Sequence, residues 1–118
     1  MPRVADYSIL ADSWWTEGHS PDPISFNVPN NVDPDSRSIL SFVLHVWSAD
    51  DMSLKIRLNG VEVWNWNFSD GERLRFYQEV VPKGLVRAGT NNLSIDSSSG
   101  DYRMVKVSDV VIWWQANI

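Results

Sequence analysis

Residues 54–66 read LKIRLNGVEVWNW, and few folds can accept that stretch. Leu54, Ile56 and Leu58 alternate with Lys55 and Arg57. A period of two sets the apolar side chains along one face of an extended strand. Asn59-Gly60 follows, and both residues accept the positive φ that a type I′ turn demands. Alternation then resumes, with Val61 and Val63 on one side and Trp64 and Trp66 on the other. The segment predicts an antiparallel hairpin.

The rest of the chain repeats this grammar. Ala5, Tyr7 and Ile9 alternate with Asp6 and Ser8, and residues 13–16 read as a short extended piece. Ile24, Phe26 and Val28 form another run, which Pro29 ends. Residues 39–47, ILSFVLHVW, are apolar on both faces, which predicts a central strand covered on both sides. Leu74, Phe76, Gln78 and Val80 alternate with Arg73, Arg75, Tyr77 and Glu79. The connection 81–90, VPKGLVRAGT, is shaped by Pro82, Gly84 and Gly89, with one helical turn expected at 85–87. Residues 103–115 close the chain as a strand broken or bulged near Ser108-Asp109. No segment keeps a 3.6-residue apolar period over ten positions. Eight or nine short strands between turn clusters predict an all-β, antiparallel β-sandwich, and 118 residues suit one domain, 1–118.

Charge and composition narrow the function. The net charge is −5 and no basic cluster is present, so neither nucleic acid nor an anionic membrane surface is an expected partner. The absence of cysteine excludes a disulfide scaffold and a thiolate metal site. No window approaches the ~20 apolar residues of a membrane span. The N-terminal residues MPRVADYSILADSWW lack an apolar stretch of the kind a signal peptide carries. The expectation is a soluble chain, cytoplasmic by default or a module of an exported protein. His19 and His45 are isolated, and no catalytic spacing such as GxSxG or HExxH occurs. The chain therefore reads as a non-enzyme.

The order LNG hairpin, extended strand, VPKGLVRAGTNNLSI, then VKVSDVVIWW resembles the galactose-binding-domain-like jelly roll. The resemblance covers roughly residues 39–114. It rests on the Asn-Gly step, on the stretch from Leu85 to Leu93, and on a final strand with an Asp-Val step, from Asp109 to Trp114. Many carbohydrate-binding modules and sugar-binding domains of glycoside hydrolases share that fold. The resemblance thus implies a jelly-roll sandwich and a lectin-like, non-catalytic role with carbohydrate as ligand. It also implies a structural calcium between an early loop and the last strand, for which Asp12 and Asp109 are the candidates. No DxDxDG-like loop accompanies them, and solvated turn carboxylates are the simpler reading.

Seven tryptophans are the other unusual load: Trp14, Trp15, Trp47, Trp64, Trp66, Trp113 and Trp114. Adjacent strand residues face opposite ways, so one of Trp113 and Trp114 should enter the core and the other should not. Exposed indoles beside polar groups are equipment for stacking on sugar C–H patches, while buried ones simply fill core volume. If Val61 and Val63 are core, Trp64 and Trp66 form an outward strip about 7 Å apart; if the tryptophan face is core, Asn65 and Asn67 face outward and the strip disappears. Arg73, Arg75 and Tyr77 on a neighbouring strand would add polar groups to the strip, and Trp47 is a further aromatic candidate. That strip would bind carbohydrate or, as the alternative, pack on another chain in a homo-oligomer.

Overall fold

The structure is a computed structural model that describes residues 3–17, 22–47, 52–68, 73–99 and 104–118. Eight strands run in order: β1 (Arg3–Glu17), β2 (Ile24–Val28), β3 (Ser38–Val46), β4 (Met52–Leu58), β5 (Val61–Phe68), β6 (Arg73–Val81), β7 (Gly89–Ser99) and β8 (Met104–Asn117). They form two antiparallel four-stranded sheets, ordered β1-β8-β3-β6 and β2-β7-β4-β5. Only β4 and β5 are neighbours both in sequence and in a sheet, joined by Asn59 (φ 50°) and Gly60 (φ 82°). Every other connection crosses from one sheet to the other. This is the jelly-roll wrapping of an antiparallel sandwich. Residues 85–87 do not form the expected helical turn; a turn closes over 82–85, where Leu85 N–H donates to Pro82 O at 3.2 Å, and Val86 is a bend. Among the described residues no helix is long and apolar enough to cross a membrane.

The core lies between the sheets. Leu40, Phe42, Leu44 and Val46 of β3 are fully buried, as are Val105, Val107, Val110 and Ile112 of β8, against Leu54, Ile56, Leu58, Leu93 and Ile95 from the second sheet. The long terminal strands hold their pairing past two irregularities. The β1–β8 register shifts between Ile9 and Ala11, and the β3–β8 register shifts between Ser41 and Val43. Asp109, at φ 52°, supplies the second irregularity, where the sequence predicted a bulge. The two extended pieces expected before residue 17 are one strand, β1.

The stretch that carried the family resemblance has a structural job. Asn91 is fully buried, and its side-chain amide is fully used. Its Nδ2 donates to Arg87 O (2.8 Å) and Gly89 O (3.1 Å), and its Oδ1 accepts from Arg87 N–H (3.1 Å) and Asn59 Nδ2 (2.9 Å). Asn59 Nδ2 also donates to Leu85 O (2.8 Å), and Asn59 Oδ1 accepts from Asn92 N–H (2.8 Å). The hairpin tip and the 82–88 connection are knotted through these two amides. Each buried donor and acceptor has a partner, which is the condition for burying an amide at low cost.

Candidate functional site

Strand β5 decides the fate of the expected tryptophan strip. Leu58 pairs with Val61 and Arg57 with Glu62, but Ile56 pairs with Trp64, so Val63 is an extra residue in a β-bulge. The bulge inverts the alternation. Trp64 and Trp66 turn inward, while Asn65 and Asn67 face water. Trp64 is 6% exposed, packed edge-on against Phe42 (5.0 Å) and Tyr77 (5.2 Å). The reading of Trp64 and Trp66 as an outward strip is therefore corrected: Trp64 is core, and Trp66 is half-buried against the core, 6.5 Å from Tyr77.

Strand β6 is not hydrogen-bonded to β5; it is the edge of the other sheet. Its register against β3 pairs Phe42 with Tyr77 and Leu44 with Arg75, so those residues share the inward row of β3. Tyr77 stacks on Phe42 at 5.4 Å and is half-buried, with its hydroxyl buried and without a hydrogen-bond partner among the described residues. Arg75 is exposed at the rim, and the side chain of Arg73 lies outside the described residues. Arg75 and Tyr77 thus border the seam between the β5 and β6 edges, as an inward extension of the core rather than beside an outward aromatic row.

With those residues turned in, the other row of β6 turns out. Leu74, Phe76 and Val80 are 67%, 60% and 60% exposed. Across the first sheet, Val80 pairs with Ile39, Ile39 with Trp113, and Trp113 with Tyr7. Ile9 pairs with Val111 one row further on, and Trp47 stacks on His45 (3.7 Å) beyond the end of β3. Tyr7, Ile9, Ile39, Trp47, Leu74, Phe76, Val80 and Trp113 all stand on this outer face, each more than a third exposed. The strand expected to be covered on both sides, β3, is covered on one only: Ile39 is 39% exposed and Val43 half-buried.

The adjacent tryptophans of β8 divide as strand geometry requires. Trp114 is buried, while Trp113 faces out, its Nε1 donating to Ser41 Oγ (3.3 Å) and its ring 4.9 Å from Tyr7. At this end of the face lies a pocket of about 170 Å³ lined by Ala5, Arg37, Ile39, Trp113, Trp114 and Gln115. It offers an apolar floor with a guanidinium and an amide nearby. Of the expected aromatic candidates, Trp47 alone is on this face. Tyr7, Phe76 and Trp113 were not singled out as site residues. The signal that could have found them is the second apolar row of residues 39–47, which needs a cover.

Asp12 and Asp109 are exposed and come opposite one another on β1 and β8, between the pairs Ala11–Val110 and Ser13–Ser108. Among the described residues no group of three or more His, Cys, Asp or Glu is placed to hold a metal ion. His19, Asp50, Asp51, Asp70 and Asp101 lie outside the described residues.

No family model matches the chain, and no curated protein matches it in sequence. Its fold is similar to part of dimeric latent PorU from Porphyromonas gingivalis, with a TM-score of 0.70 at 10% identity over 99% of this chain and 13% of that one. It is similar to part of BpGH86A, a β-porphyranase of the human gut bacterium Bacteroides plebeius, with a TM-score of 0.60 at 15% identity over 97% of this chain and 21% of that one. The C-terminal domain of EclA, a sugar-binding protein, gives 0.57 at 8% identity over 95% of this chain and 79% of that one. This chain thus spans only a small part of the first two. The likenesses show the fold, a jelly-roll β-sandwich.

Proposed function

We propose that this chain is a non-catalytic docking module whose working surface is the outer face of the first sheet. The observation that carries this reading is the set of eight large apolar side chains standing 37–67% exposed across all four strands of that face. Large apolar side chains gathered on one face mark an interaction surface, whereas scattered single ones do not. A macromolecular partner can cover such a face.

A single sugar ring can cover only its Trp113 end, leaving Leu74, Phe76 and Trp47 wet. Carbohydrate is the second reading, and the pocket beside Arg37 and Gln115 is the observation that favours it. The EclA domain lends it a shared fold, not a shared site. Trp113→Ala should then abolish quenching of tryptophan fluorescence by oligosaccharides; a broad glycan panel without response ends this reading.

The docking reading is tested with the triple variant Leu74→Ser/Phe76→Ser/Val80→Ser. The unmodified chain should either bind an apolar dye such as ANS or self-associate, and the variant should do neither while melting as before. A loss of cooperative folding comparable to a core truncation would show the face to be covered within the chain itself, and the reading would fail.

A further inference from the structure

Resting on the docking reading, we infer that the occupant of the outer face of the first sheet is a second copy of this chain, packed face to face about a two-fold axis. Three observations converge on this. The first is placement. Five of the eight apolar residues, Ile39, Trp47, Leu74, Phe76 and Val80, lie on or beside β3 and β6, each more than a third exposed, so the apolar surface is concentrated where a two-fold axis would set it against itself. The second is shape. The face is one side of a four-stranded sheet, and two such faces pack about 10 Å apart with interdigitating side chains, as the sheets of a sandwich do. The third is charge. The chain carries a net charge of −5, and two copies would repel wherever carboxylates met. The outward positions of β3 and β6 carry none. They are Ile39, Ser41, Val43 and His45 on one strand and Leu74, Phe76, Gln78 and Val80 on the other.

The exposed carboxylates of the first sheet lie away from that half. Asp12 and Asp109 sit at the irregularities of β1 and β8. A two-fold axis near the β3–β6 half lays Phe76, Val80 and Ile39 against their own counterparts and leaves the acids at the rim. An isologous interface demands such self-complementarity, because one patch serves both sides. The arrangement also supplies the second cover that the two apolar rows of β3 call for.

Edge-to-edge pairing through β6 is the poorer alternative. The inward row of that strand carries Arg75 and Glu79 at the sandwich rim, and inward-pointing charge is a device that keeps edge strands from pairing.

The test is sedimentation equilibrium on the full chain from low to high micromolar concentration, with Phe76→Glu and Val80→Glu measured beside it. The expected result is a reversible monomer–dimer equilibrium, weakened at least tenfold by either variant and more by both, with unchanged circular dichroism. If a variant does not fold, the state of the unmodified chain still decides. A chain that stays monomeric at hundreds of micromolar overturns the second copy. If that monomer binds ANS and the triple serine variant does not, the docking reading survives with another occupant; if it binds none, both fall. A dimer indifferent to both substitutions also overturns the proposal.

Discussion

The two sheets of this sandwich have the same number of strands and opposite outer faces. On the second sheet most outward residues are polar, and several are paired: Ser25 Oγ donates to Asn92 Oδ1 (2.7 Å), Thr90 Oγ1 to Asn27 Oδ1 (3.1 Å) and Asn65 Nδ2 to Glu62 Oε2 (2.8 Å). Ion pairs join Arg57 to Asp96 and Lys55 to Glu62. On the first sheet the corresponding positions hold Tyr7, Trp113, Ile39 and Val80 in one cross-strand row. One face is finished against water and the other is not. Both sheets bury a mainly apolar inner row, so stability of the sandwich does not require this difference. Its source lies outside the core, and the docking surface proposed above would account for it.

Substitutions in the two apolar rows of the first sheet sharpen the contrast most. Phe42→Ala, in the inner row, should lose about 3–5 kcal/mol in urea unfolding. Phe76→Ala, on the next strand but in the outer row, should stay within ~0.5 kcal/mol when measured on monomer. Equal losses would mean that the outer row is covered by the chain itself. Asn91→Leu comes next, at about 2–3 kcal/mol in thermal or urea unfolding. It strips partners from Asn59 Nδ2, Arg87 N–H and two carbonyls. A neutral result would remove the amide knot as a fastening of the second sheet's hairpin.

Smaller effects separate buried from exposed polar groups. Tyr77→Phe should be neutral or stabilise by up to ~1 kcal/mol, since its hydroxyl is buried without a partner among the described residues. A loss above ~1 kcal/mol would reveal a bond to that hydroxyl. On the polar face, Arg57→Ala should cost no more than ~0.5 kcal/mol and nothing at high salt, because both partners are substantially exposed. A larger, salt-resistant loss would show that the finished face also contributes to stability.

The hairpin was legible because its turn residues are local: the positive φ at Asn59 and Gly60 is written into two side-chain types. The bulge near Ser108-Asp109 was legible for the same reason, an Asp in the left-handed region. The extra residue Val63 was not, because nothing in VEVWNW marks which residue the partner strand skips. That one skip moved Trp64 from the expected binding surface into the core. On β6 the alternation alone left open which row faces inward, and β3 made the choice. Leu40, Phe42 and Leu44 face in, and pairing carries Glu79, Tyr77 and Arg75 with them.

Period-two patterning and turn chemistry, both functions of neighbouring residues, determined from the sequence alone that this chain is an antiparallel β-sandwich with a hairpin at Asn59-Gly60. Only the tertiary structure decided which apolar row of each strand meets water. Cross-sheet register is set by pairings between residues far apart in the chain. A shift of a single residue exchanges the two faces of a strand, so the exposed face of the first sheet could be seen only once all four of its strands were in place.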